Sequence, residues 1–192
     1  MKQGKLIAGA FIAGVATIFA FPPYNLWWIA VLAPAVWLAC NIGTTPSQAL
    51  RIGLAYGFGL MAPGLYWVHH SMSAFSGTPC GIAVLLAMLL ALFMASYYGL
   101  AGWLAAKATS RHIPRARVLM LVACVMLTEW LRSWLFTGFP WLLTGYTQID
   151  SPLGAYTPVG GVWLVTLLTL FSAAMLVSIS RPGILARTVS LL

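Results

Sequence analysis

Residues 82–106 read Ile-Ala-Val-Leu-Leu-Ala-Met-Leu-Leu-Ala-Leu-Phe-Met-Ala-Ser-Tyr-Tyr-Gly-Leu-Ala-Gly-Trp-Leu-Ala-Ala, 25 residues without a charge. A helix that crosses a bilayer needs about 20 mostly apolar residues. This stretch exceeds that, and five further apolar runs flank it: Leu6–Phe21, Leu26–Cys40, Ile52–Val68, Val118–Phe136 and Val159–Ser178. The whole chain is 61% hydrophobic and only 6% charged. Soluble domains carry about 25% charged residues. The sequence therefore predicts an all-α integral membrane protein: one polytopic domain over residues 1–192, a bundle of about six transmembrane helices.

The ten basic residues set the orientation. Lys2 and Lys5 precede the first run, Arg51 lies between the second and third, and Lys107, Arg111, Arg115 and Arg117 lie between the fourth and fifth. Arg181 and Arg187 follow the sixth. With six spans, nine of the ten fall on one side, and Arg132 is the exception. Cytoplasmic loops are rich in Lys and Arg, so both termini are expected in the cytoplasm. The scatter of these charges over short connections also argues against nucleic acid, whose binders cluster them on one soluble face.

The opposite connections, residues 22–25, 69–81 and 137–158, contain no Lys or Arg. They hold aromatics, glycines and prolines instead. Irregular backbone at membrane depth survives only against protein or water, so these segments are expected to lie in the interface or fold onto the bundle.

The chain has two acids, Glu129 and Asp150. Glu129 and Arg132 are three apart and share a helix face. An ion inside a bilayer is costly unless paired. The pair reads either as a site that fixes a polar headgroup or orders the segment after the helix, or as an ion pair that locks helix packing, with Arg132 also able to snorkel outward. Gly138-Phe139-Pro140-Trp141 ends the fifth helix. Trp141 then reads as an interfacial aromatic or as a lining residue for an acyl chain, with Tyr146 beside it. Glu129, Arg132, Trp141 and Tyr146 are the candidate substrate-binding residues.

Other features read structurally. His69 and His70 are adjacent, so they face different sides of a helix, and they read as an interfacial pair. Gly53, Gly57 and Gly59 suit close helix packing. Cys40, Cys80 and Cys124 have no metal-ligand spacing. No catalytic residue, metal or cofactor site is read from the residues alone.

Several stretches resemble the membrane domain of bacterial apolipoprotein N-acyltransferases. They are Phe19-Ala20-Phe21-Pro22-Pro23-Tyr24, Gly57-Phe58-Gly59-Leu60, Tyr66-Trp67-Val68, Phe75-Ser76-Gly77-Thr78-Pro79, Glu129-Trp130-Leu131-Arg132, Thr137-Gly138-Phe139-Pro140-Trp141, Gly145-Tyr146-Thr147-Gln148-Ile149-Asp150 and Pro158-Val159-Gly160-Gly161. The resemblance implies a multi-pass protein of the bacterial inner membrane. It implies lipid substrates: a phospholipid acyl donor and the diacylglyceryl-modified N-terminal cysteine of an apolipoprotein as acceptor. The family's chemistry runs through a thioester on the cysteine of a Glu-Lys-Cys triad, in a nitrilase-like domain after a seventh helix. None of the three cysteines here matches that nucleophile. Residues 181–192 resemble the start of the seventh helix. The chain is therefore expected to be a truncated or split form, inactive alone: either the membrane half of an acyltransferase, active only if a separate nitrilase-like chain supplies the catalytic domain, or an inactive remnant. An independent lipid-binding or lipid-moving membrane protein is the alternative.

Overall fold

The computed structural model describes residues 3–180. Lys2, Arg181, Arg187 and the expected start of a seventh helix lie outside the described residues. Seven α-helices follow one another: α1 Gln3–Thr17, α2 Ile29–Cys40, α3 Pro46–Gly64, α4 Trp67–Ser76, α5 Cys80–Ala108, α6 Pro114–Trp134 and α7 Thr157–Ser180. A 3-10 turn, Ile18–Ala20, extends α1, and three more (Leu135–Thr137, Thr144–Gln148 and Pro152–Tyr156) fill the α6–α7 connection. No strand occurs among the described residues.

Each of the six apolar runs contains a helix. Four helices are long and apolar enough to cross a membrane: α1 with its 3-10 turn, α5, α6 and α7. The apolar α2 is shorter, at 12 residues. α3 packs between α1 and α5. The third helix stops at Gly64 rather than Val68, with Pro63 in its last turn lacking the N–H that would bond back to the Gly59 carbonyl. The segment 69–81, read as a connection, begins instead inside α4, a short helix with no buried residue that ends on left-handed Gly77.

Local chemistry explains the helix starts. Thr45 and Gln48 form a reciprocal capping box at α3, each side chain accepting the other's backbone N–H. That satisfies two of the four free N–H groups at the helix start. Pro46 and Pro114 occupy the first turns of α3 and α6, where the missing N–H is harmless.

The packing is inverted relative to a soluble bundle. α5 turns Ala83, Ala87, Ala91 and Ala95 fully inward and leaves Leu85, Leu89 and Leu92 about half exposed. In lipid, small residues let backbones approach while bulky aliphatics face the acyl chains. Gly53 and Gly59 place α3 tightly between two neighbours. A Cβ at Gly53 would run into the Tyr98 carbonyl of α5, and one at Gly59 into the Phe11 carbonyl of α1. At the centre Trp37, Tyr56 and Tyr98 form an aromatic cluster, with Trp37 and Tyr56 stacked at 4.5 Å.

Arg117, which the sequence presents as one of the loop cations, is 1% exposed. Its guanidinium donates to the Thr109 hydroxyl at 2.7 Å and to the carbonyls of Thr44 and Thr109, both at 3.3 Å. One side chain thereby joins the α2–α3 and α5–α6 connections at the basic end of the bundle.

Candidate functional site

At the other end of α6, Glu129 and Arg132 are buried, at 1% and 0% exposure. Arg132 does not snorkel outward. The two do not form a direct ion pair; each holds the segment that follows the helix. The Glu129 carboxylate accepts the Thr144 hydroxyl at 2.7 Å, the Thr144 amide at 3.4 Å and the Tyr98 hydroxyl at 3.3 Å. Arg132 Nη1 donates to the carbonyls of Phe139, at 3.2 Å, and Trp141. The Phe139 amide returns a bond of 2.7 Å to the Arg132 carbonyl. The acid and the base thus fasten opposite ends of a strap, residues 139–144.

Other anchors continue the strap. The Gly145 amide donates to the buried Thr166 hydroxyl of α7 at 2.9 Å. The Gln148 amide side chain donates to the Trp27 carbonyl at 3.1 Å. The α6–α7 connection is therefore folded onto α6, α7 and the α1–α2 connection through these hydrogen bonds.

The strap and the turn leading into it have a strained backbone. Phe136, Thr137 and Leu142 have φ of 53°, 72° and 55°. Bulky and β-branched residues seldom adopt this left-handed region. Such outliers persist only where the surroundings impose them, and Leu142 lies between Trp141 and Thr144, which Arg132 and Glu129 hold.

Under the strap's outer surface lies a cavity of about 490 Å³, lined by Phe21, Pro22, Gly64, Trp67, Pro140, Trp141, Leu142 and Tyr146. Trp141 and Tyr146 are half exposed. The Trp141 ring sits 5.7 Å from Trp67 and 5.9 Å from Phe139. The four candidate residues thus divide into two layers. Trp141 and Tyr146 line the cavity, while Glu129 and Arg132 hold the strap from beneath.

The remaining singled-out residues lie apart from this arrangement. The His69 ring lies 4.1 Å from that of Tyr66, tilted by 44°, and its Nδ1 meets the Tyr66 carbonyl. Cys80 is exposed at the start of α5 and Cys124 is buried in α6. Asp150 is exposed. Sequence reasoning missed Tyr98, Thr144 and Thr166 as partners. The only signal was their polarity in otherwise apolar surroundings.

Residues 13–175 match the apolipoprotein N-acyltransferase N-terminal domain. Among the relatives, the apolipoprotein N-acyltransferase of Vibrio parahaemolyticus is 44% identical over 170 residues, 88% of this chain and 34% of the relative. That of Chromobacterium violaceum is 41% identical over 184 residues, 95% of this chain and 35% of the relative. That of Azotobacter vinelandii is 36% identical over 195 residues, 98% of this chain and 37% of the relative. The chain spans about a third of the length of the curated relatives it matches. It belongs to the apolipoprotein N-acyltransferase family, in the part covered by the N-terminal domain.

Proposed function

We propose that this member of the apolipoprotein N-acyltransferase family is the lipid-handling membrane part of an acyltransferase. In this reading it presents a phospholipid acyl chain, and then a lipid-modified apolipoprotein, to a nitrilase-like catalytic region carrying the Glu-Lys-Cys triad. That region, on the same or a separate chain, belongs to the part of the relatives beyond the matched third. The observation that carries the reading is the aromatic cavity under Trp141 and Tyr146. Its lining is apolar apart from a few polar tips, as a binding site for an acyl chain requires. Glu129 and Arg132 serve it by holding the strap that bears Trp141 and leads into Tyr146.

The same reading fixes the orientation. Among the described residues, the Arg117 end carries Lys5, Arg51, Lys107, Arg111 and Arg115, and the strap end carries only the buried Arg132. The positive-inside rule then favours the Arg117 end and both termini in the cytoplasm, with the cavity at the outer face of a bacterial inner membrane.

A phospholipid with a photoactivatable group near the end of one acyl chain tests the proposal on the full chain in detergent. Crosslinks should concentrate on peptides containing Trp67, Trp141 and Tyr146. Labelling spread evenly over the lipid-facing leucines of α5 would overturn it.

A further inference from the structure

Arg132 offers more than its two strap bonds. Its Nη1 is engaged by the carbonyls of Phe139 and Trp141. Its Nε and Nη2 are buried and have no acceptor among the described residues. The free edge is thus the Nε–Nη2 edge, the side of a guanidinium that grips a carboxylate or phosphate with two parallel N–H bonds. The neighbouring carboxylate does not fill it, because Glu129 spends its oxygens on Tyr98 and Thr144. Unsatisfied donors on a fully buried cation are rare in folded proteins and call for an explanation.

The backbone lying on Arg132 is the strained strap. Three of the four non-glycine residues with positive φ among the described residues fall in it or in the turn before it. Clamps and switch regions are where such strain collects. Displacing residues 136–142 frees those torsions and uncovers the guanidinium, and it moves three of the eight residues that line the cavity, Pro140, Trp141 and Leu142.

We infer that Arg132 is an oxyanion-binding residue: with the strap displaced, its Nε–Nη2 edge takes a phosphate, the headgroup phosphate of a phospholipid whose acyl chain lies against the cavity wall outside the displaced segment, Phe21, Pro22, Gly64, Trp67 and Tyr146. This rests on the lipid-handling reading and adds the group that tells a phospholipid from a neutral lipid. Free phosphate has the same chemistry and is separated from the headgroup by the test.

The full chain in detergent is titrated with phosphatidylglycerol, with diacylglycerol of the same acyl chains, and with inorganic phosphate, and bound lipid is counted by native mass spectrometry. Wild type should retain phosphatidylglycerol at least about tenfold better than diacylglycerol, the ratio expected for one charge-assisted bidentate contact. Arg132→Lys, which keeps the charge and loses the fork, should remove most of that preference, lowering phosphatidylglycerol retention far more than diacylglycerol retention. Equal retention of the two lipids by wild type overturns the Arg132 site and leaves the cavity reading standing. Retention of neither lipid overturns both. Competition by millimolar inorganic phosphate as strong as by phosphatidylglycerol identifies free phosphate as the ligand and overturns the headgroup assignment. If Arg132→Lys does not fold, the Arg132 Nε–H resonance of the wild type decides. It should move with phosphatidylglycerol and not with diacylglycerol, and no movement with either overturns the site.

Discussion

Glu129 and Thr144 are joined twice, by the Thr144 hydroxyl at 2.7 Å and its amide at 3.4 Å, although 15 residues separate them. That pair of hydrogen bonds turns a helix-borne carboxylate into the anchor of the outer segment. It also explains how the acid tolerates burial, since a buried charge must be compensated by hydrogen bonds or an opposite charge. Glu129→Ala strands the Thr144 and Tyr98 donors and leaves Arg132 without a nearby counter-charge. Removing one member of a buried charged set costs about 3–5 kcal/mol. Thermal unfolding in detergent should show a loss of that order for Glu129→Ala and a smaller one for Glu129→Gln, whose carbonyl still accepts from Thr144. Equal midpoints for wild type and both variants would show that the carboxylate is solvated.

Arg117 plays the matching part at the basic end. It joins two connections that share no other side-chain bond among the described residues, through Thr44 and Thr109. Arg117→Ala should lower stability by about 3 kcal/mol or more, because several buried carbonyls lose a charged donor. Limited proteolysis should then cut within residues 41–45 or 108–113 earlier than in wild type. An unchanged cleavage pattern would reduce the clamp to a surface contact.

Close packing gives a third expectation. Gly53→Ala puts a methyl group against the Tyr98 carbonyl, whereas a methyl group at Gly81 would meet nothing within 4 Å. Overpacking a tight contact costs about 1–3 kcal/mol. Gly53→Ala should therefore lower the unfolding midpoint, and Gly81→Ala should leave it level or raise it slightly through helix propensity. A neutral Gly53→Ala would mean that α3 and α5 can separate freely.

Much of this architecture is written in hydropathy, because a bilayer imposes one dominant rule on helix length and composition. The stretch 82–106 announces α5, and the runs around it announce the other long helices. α4 escapes that rule: Trp67–Ser76 mixes aromatics, histidines and serines, and nothing in it is buried. The strap contacts escape for another reason. Arg132 binds backbone carbonyls, which every residue carries, so no side-chain signal marks its targets. Tyr98 meets Glu129 across 31 residues, a proximity that only helix packing creates. The charge of Arg117 and its place near a connection are legible, but its buried state depends on carbonyls from two separate segments.

The topology itself can be checked without a lipid assay. A periplasmic reporter joined after Asp150 should be active and one joined after Lys107 inactive, with a cytoplasmic reporter giving the reverse pattern, because the Lys/Arg residues favour the cytoplasm. Activity exchanged between the two sites would invert the orientation and put the cavity on the inner side.

Trp141 separates the lipid-handling reading from a purely structural one. Its ring is half exposed and lines the cavity beside Trp67, while the bond that fixes the strap uses its carbonyl, not its side chain. Trp141→Ala therefore keeps the Arg132 anchor and should unfold within about 0.5 kcal/mol of wild type, the usual range for partly exposed positions. It removes an apolar wall from the proposed acyl site, and losing contact with a few methylene groups is worth about 1.5–3 kcal/mol. Acyl transfer, measured with the nitrilase-like region supplied, should then fall by about tenfold or more. Tyr146→Phe, which keeps the ring, should stay near wild type. Transfer that is unchanged in Trp141→Ala would leave Trp141 as an ordinary interfacial aromatic and move the acyl path elsewhere on the bundle.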